Sequence, residues 1–232
     1  KHQVHTPLKN SNRSHLKYLC SHTMQHIPSS WHIESMEKYC HTDIDTLIQK
    51  ILNEKFHLTS LYPYQELVIR NIVEEGSHCD TDSTSHYTRQ IVILPTGSGK
   101  SVCFMLPALL LPDLTIVVYP LLSLMNDQAR RMEELGERVI FLRGGQSAEK
   151  REDLFHMLEK KACRFVITNP ETLHNPAIIE RLSSFPVSLL VIDEAHTVTQ
   201  WGESFRPAYL ELPSIIEQLH PDQVIAFTAT AS

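Results

Sequence analysis

The sequence predicts an α/β fold, a mainly parallel sheet flanked by helices and preceded by a short N-terminal extension. Three observations predict it. Apolar runs of strand length recur at Ile91 to Leu94, Leu114 to Val118, Val139 to Leu142, Phe165 to Thr168, Leu189 to Ile192 and Val224 to Phe227. Segments of helix-forming composition separate them, near 100–111, 122–135, 147–160, 175–184 and 208–219. Strands that alternate with helices need crossover connections, hence parallel pairing and a sheet covered on both faces. The first run leads directly into a glycine-rich loop and then a helix, the local order of a phosphate-binding unit. With 232 residues, 42% of them apolar, the chain can bury an ordinary core.

Taken in order, residues 1–42 lack a sustained apolar period and are rich in His, Ser, Asn and Thr, which reads as a loosely ordered extension. The cluster Cys20, His22, His26, Cys40 and His41 fits no common zinc-finger spacing, so a solvated segment is preferred to a metal site. The main domain is expected over 43–232. It opens with Ile44, Leu47, Ile48, Ile51 and Leu52 at helical spacing, with Thr42 or Asp43 as cap. A second helix follows Pro63, with Leu67, Val68, Ile69, Ile72 and Val73 on its buried side. The polar stretch Gly76 to Thr88 reads as a surface loop.

Composition excludes some classes. Five cysteines form no CxxC pair and cannot all be paired, which argues against a disulfide framework and for a reducing compartment. No apolar run approaches a membrane span, so no membrane partner is expected. Localisation is read as cytoplasmic, at the nucleoid, or nuclear in a eukaryote. The net charge of −6 gives no basic footprint for nucleic acid, although a lobe's total charge says little about one groove.

The chemistry concentrates at two places. The loop Leu94, Pro95, Thr96, Gly97, Ser98, Gly99, Lys100 and Ser101 precedes the helical stretch Val102 to Leu111. Gly97 and Gly99 let backbone N–H groups turn toward a phosphate, with the positive end of the helix behind them. Lys100, projecting toward solvent, can reach the β- and γ-phosphates of ATP, and the Ser101 hydroxyl is placed for Mg2+. The second place is the apolar run Leu189 to Ile192, which ends in Asp193, Glu194, Ala195 and His196. Ligands of parallel sheets sit at the carboxyl ends of strands. Asp193 is the candidate for holding Mg2+, and Glu194 for activating the attacking water.

Together with Thr228, Ala229 and Thr230, these motifs resemble the first RecA-like lobe of a superfamily two helicase. The stretch His196 to Tyr209, with Gln200-Trp201-Gly202 and Phe205-Arg206-Pro207, is similar to the aromatic-rich loop of RecQ DNA helicases. That resemblance implies a coupling of DNA to ATP hydrolysis through His196, Trp201, Phe205, Arg206, Thr228 and Thr230. An exposed Trp and Phe beside an Arg also suit stacking on unpaired bases. Pro120 to Gln128 and Thr168 to Leu173 resemble motifs Ia and Ib, which line the DNA track in that family. Ser123, Thr168 and Asn169 are then possible phosphate contacts, with helix capping as the alternative. Phe56 to Gln65 resembles the adenine-recognising motif, Gln65 offering its amide to the base. Tyr62 stands where the family has arginine, and His57 where it has glycine.

The resemblance therefore implies an ATP-dependent DNA helicase, with ATP and Mg2+ as cofactors. Its implied partners are single-stranded or forked DNA and a second RecA-like lobe of the same polypeptide, which supplies an arginine finger. Without that finger, worth on the order of a thousandfold in related reactions, this lobe is expected to hydrolyse ATP weakly. An RNA helicase of the DEAD/DEAH type and a nucleotide-gated DNA-binding protein without unwinding are the competing readings. The Gln-Trp-Gly and Phe-Arg-Pro elements weigh against the first, and intact Lys100, Ser101, Asp193 and Glu194 against the second.

Overall fold

The computed structural model describes residues 44–75, 88–197 and 207–230. The N-terminal extension, its His/Cys cluster and the cap at Thr42 or Asp43 lie outside the described residues. So do the loop at 76–87 and Trp201, Phe205 and Arg206.

Two helices come first, α1 (Ile44–Glu54) and α2 (Pro63–Glu75), followed by β1 (Thr88–Ile93), α3 (Lys100–Leu110), β2 (Leu114–Val118) and α4 (Leu122–Glu134). Then come β3 (Val139–Phe141), α5 (Ala148–Glu159), β4 (Phe165–Thr168), α6 (Pro170–Leu173) and α7 (Pro176–Leu182). The chain continues with β5 (Val187–Ile192), a 3-10 turn (Pro207–Tyr209), α8 (Leu212–Leu219) and β6 (Gln223–Thr228). The six strands form one sheet in the order β1-β6-β5-β2-β4-β3, every pair parallel. This is the sheet that the strand–helix alternation predicts.

Strand side chains alternate between faces, and the two sets enter two cores. Ile116, Val118, Val166, Leu190 and Ile192 pack beneath α5, α7 and α8 with Phe155, Ile179 and Ile215. Val117, Tyr119, Ile167, Val191, Ile225 and Phe227 pack beneath α3 and α4 with Phe104, Met125 and Met132. Outside α3, a smaller cluster of Ile48, Leu52, Ile69, Val73 and Leu106 seats α1 against α2. Cys103 and Cys163 are buried free thiols.

Two expectations are corrected. Leu67 is exposed on α2, while Gln65 is buried there with Ile69, Ile72 and Val73. The buried arc runs through 65, 69, 72 and 73, at helical spacing, and Leu67 falls off it. Among the described residues, the cover on both faces of the sheet also stops short of its edge. β1 lies at its edge, and Ile91 and Ile93 are 76% and 53% exposed, whereas Val92 between them is buried beneath α3. The segment 175–184 begins its helix at Pro176, with a separate turn of helix at Pro170–Leu173.

Candidate functional site

The site is assembled at the carboxyl ends of β1, β5 and β6. β1 hands the chain to the phosphate loop, pinned where Leu94 N–H donates to Thr228 C=O (2.9 Å) and Ser98 N–H donates to Pro95 C=O (3.2 Å). Gly97 and Gly99 adopt φ of 81° and 77°, a region that side chains disfavour. Space adds a second reason at Gly99, because a Cβ there would stand 2.5 Å from Gln65 Nε2. Gly99 is also the N-cap of α3 and offers no side-chain oxygen to the first turn. The N–H groups of that turn are thus left to an anion.

Behind the loop, Gln65 Nε2 and Tyr64 Oη both donate to Ser98 C=O at 3.0 Å, and Gln65 Oε1 accepts from Tyr62 N–H at 3.0 Å. The amide expected to read adenine therefore braces the phosphate loop. It keeps one N–H and one lone pair for a further partner. Tyr62, 63% exposed, stacks on Tyr64 with centroids 5.5 Å apart and planes 7° from parallel.

β5 delivers the carboxylates. Asp193 N–H donates to Val118 C=O (3.0 Å) and Ala195 N–H to Phe227 C=O (2.8 Å), which fixes the turn between β2 and β6. Glu194 occupies the left-handed region at φ 51°, a strained conformation for a side chain with Cβ. Asp193 is buried, and its Oδ1 accepts from Glu194 N–H at 2.9 Å. Burial first, and then the neighbouring Glu194 charge, push the Asp193 carboxyl up to about 6.

Lys100 does not project to solvent. Its Nζ bonds Glu194 Oε1 at 2.9 Å with 11% of its side chain exposed. An ammonium this far from water needs a fixed partner, and Glu194 supplies it. The other Glu194 oxygen lies 3.4 Å from His196 Nδ1, which is 3.3 Å from Thr228 Oγ1. Thr228 spends its one proton on Thr230 C=O (2.8 Å). Its oxygen is left to accept from His196 in the tautomer that carries the ring proton on Nδ1. A chain of polar contacts thus runs from Lys100 through Glu194 and His196 to Thr228 and Thr230. It borders an open cleft of about 490 Å³ lined by Thr96, Leu124, Glu194, His196 and Thr230 among others.

The site fits a divalent cation beside a triphosphate. A buried carboxylate that favours its neutral form is one whose ionised form a cation would stabilise. No cluster of three or more His, Cys, Asp or Glu able to hold a metal occurs among the described residues. Magnesium uses one or two protein ligands and takes others from phosphate and water. Ser101 begins the same helix as Lys100, and its Oγ lies 3.5 Å from Arg131 Nη1 on α4. Sequence reading missed Arg131 and Tyr64. Arg131 lies three residues, about one helical turn, beyond Gln128 at the end of the motif Ia segment, a spacing that could have found it. Of the expected phosphate contacts, Thr168 is fully buried and Asn169 caps α6 by accepting from Thr172 N–H (3.2 Å), whereas Ser123 is exposed.

A family model described as DEAD/DEAH box helicase matches residues 62–232. Among curated proteins, the chain is 37% identical over 188 residues to the probable ATP-dependent DNA helicase RecS of Bacillus subtilis, covering 81% of this chain and 35% of that protein. It is 40% identical over 141 residues to the ATP-dependent DNA helicase RecQ of the same organism, covering 60% and 24%. The chain spans about a third or less of the length of these relatives. Among solved structures, it resembles the DEAD-box helicase Mss116 bound to ssRNA and UDP-BeF (TM-score 0.60, 19% identity, 81% of this chain and 39% of that one). It also resembles the DUF1998 helicase MrfA bound to DNA and AMPPNP (TM-score 0.55, 22% identity, 89% and 27%). At such identities these two show the fold alone, a RecA-like helicase lobe.

Proposed function

The chain belongs to the DEAD/DEAH box helicase family, and from that premise we propose that it is the ATP-binding lobe of a DNA helicase motor. In the whole protein this lobe couples ATP hydrolysis to movement along single-stranded DNA and to duplex unwinding. The observation that carries the reading is the Lys100–Glu194 pair, which joins the phosphate loop to the DEAH carboxylates across 94 residues of sequence.

Each residue then has a role. The backbone of Thr96, Gly97, Ser98 and Gly99 and the first turn of α3 cradle the phosphates. Lys100 exchanges Glu194 for the β- and γ-phosphates, and Glu194, so released, orients and deprotonates the attacking water. Ser101 and Asp193 hold Mg2+, which would offset charge on the phosphate oxygens. Tyr62 stacks on the base, and Gln65 uses its remaining amide valences for adenine while bracing Ser98. His196, Thr228 and Thr230 carry the state of Glu194 toward the bound strand, and Trp201, Phe205 and Arg206 contact unpaired bases and couple them to the site.

DNA is preferred to RNA because the relatives at 37–40% identity are named DNA helicases. A second RecA-like lobe as partner is supported by the length of those relatives beyond the matched part. Among the described residues no helix is long and apolar enough to cross a membrane. ATPase activity of the full-length protein, assayed with single-stranded DNA and with RNA, tests the reading. DNA should stimulate and RNA should not, and Trp201→Ala should lower the stimulated rate far more than the basal one. Equal stimulation by RNA would return the protein to the RNA helicases.

A further inference from the structure

Strand register sets the argument. Val118 at the end of β2 pairs with Ile192 at the end of β5, and both side chains enter the core beneath α5, α7 and α8. Alternation places the next residues, Tyr119 and Asp193, on the opposite face, beneath α3 and α4. The pairing continues past the strands, since Asp193 N–H still donates to Val118 C=O. Parallel neighbours lie about 4.8 Å apart, so the phenol and the carboxylate leave adjacent strands on the same side. Tyr119 is 1% exposed, and its hydroxyl has no hydrogen-bond partner among the described residues. Burial, and after it the Asp193 charge, keep the phenol protonated. A buried hydroxyl without a partner costs free energy that phenylalanine in the same space would not. Arg131, whose charge also acts on Tyr119, reaches Ser101 at the same corner of the site.

We propose that Tyr119 is a positioning residue of the magnesium–nucleotide site, its hydroxyl donating to the Asp193 carboxylate that faces Ser101. This rests on the reading of Asp193 as a metal ligand. The hydrogen bond holds the carboxylate in one rotamer, and the donor finds the acceptor it otherwise lacks. Neither residue is consumed, and no proton leaves the phenol.

The test compares the wild-type protein with Tyr119→Phe and Asp193→Asn, by Mg2+ titration of fluorescent ADP-analogue binding and by the thermal midpoint without nucleotide. Tyr119→Phe should leave the midpoint unchanged or higher and raise the Mg2+ concentration for half-maximal binding roughly tenfold, the scale of one hydrogen bond to a charged group. If Asp193→Asn abolishes the Mg2+ dependence while Tyr119→Phe leaves it unaltered, the proposal is overturned and the metal site stands. An unaltered Mg2+ requirement in both variants overturns the metal role of Asp193 and the proposal with it. A lower midpoint in Tyr119→Phe with an unaltered Mg2+ requirement would show the hydroxyl to be structural, which also overturns the proposal.

Discussion

The carboxyl-end site and the flank formed by α5, α6 and α7 treat the same physical problems in opposite ways. On the flank, each helix begins with a side chain that accepts from its first turn: Ser147 from Lys150 N–H, Asn169 from Thr172 N–H and Asn175 from Ala177 N–H. Charges there are exposed and paired, Arg181 bonding both Glu152 and Glu159 at 2.8 Å, and the hydrogen bond from His156 first, then that from Arg181, hold Glu159 below its usual range. At the site, α3 starts on a glycine with no side-chain cap, Glu194 sits in the left-handed region, and Asp193 is buried beside another carboxylate. Helix capping and exposed charge pairing are satisfied on the flank and left open at the site, whereas a positive φ occurs in both, at Lys161 just after α5 as at Glu194. The unmet N–H groups and the buried acid are features that a nucleotide and a cation would satisfy.

The largest expected break in this contrast is Lys100→Ala. Removing the one ammonium shared by the loop and Glu194 should abolish Mg2+-dependent ATP binding, read as loss of the ATP-induced thermal shift, and lower the midpoint without nucleotide to the extent that the pair is buried. Unchanged ATPase activity in the full-length variant would sink the assignment of the loop. Next in size, Glu194→Gln should preserve ATP affinity and lower turnover by about two orders of magnitude, the scale of removing a general base. Turnover near the wild-type rate would place water activation elsewhere.

Much of this was legible in the sequence because period and punctuation carry it. Six apolar runs gave six strands, and the strand–glycine–helix order located the loop. Side-chain partnerships were less legible, since they depend on packing that no local pattern records. Lys100 could be assigned to phosphate from its motif, but its bond to Glu194 depends on β1 and β5 both flanking β6. Likewise Gln65 was read toward adenine, and only the approach of α2 to the loop shows it under Ser98. Leu67 was placed inside by its hydrophobicity, although its helical angle turns it out. Ile91 and Ile93 are exposed because β1 lies at the sheet edge, a position that an apolar run does not record. His57, flagged because the resembled family has glycine there, does adopt the left-handed backbone at φ 54°.

Asp193→Asn addresses the energetic side of the contrast. The folded carboxyl titrates near 6 and an unfolded one near 3.9, so between these values the folded protein binds more protons than the unfolded. Stability from this group is therefore fully present below about pH 4 and is lost as pH rises through about 6. Asparagine cannot ionise. At pH 7.5 without divalent cation, the variant should be more stable than wild type by roughly 2–3 kcal/mol. The difference should vanish near pH 4, and Mg2+-dependent nucleotide binding should be lost. A variant no more stable at pH 7.5 would mean that the acid is not paying for burial.

The smallest effect belongs to the flank, and Ser147→Ala measures it. Ser147 sits in extended conformation ahead of α5, and its Oγ accepts from Lys150 N–H at 3.2 Å. Alanine leaves that N–H to water at an exposed helix end, for which about 1 kcal/mol of stability should be lost. Because α5 packs through Phe155 and Leu158 into the core cluster that holds Ile140 and Val166 of β3 and β4, at the opposite edge of the sheet from β1, ATP affinity and the Mg2+ requirement should not move. Chemical denaturation gives the first quantity and nucleotide titration the second. A loss of nucleotide affinity comparable to the loss of stability would show that capping on the flank and geometry at the site are coupled, and the division between the two regions would fail.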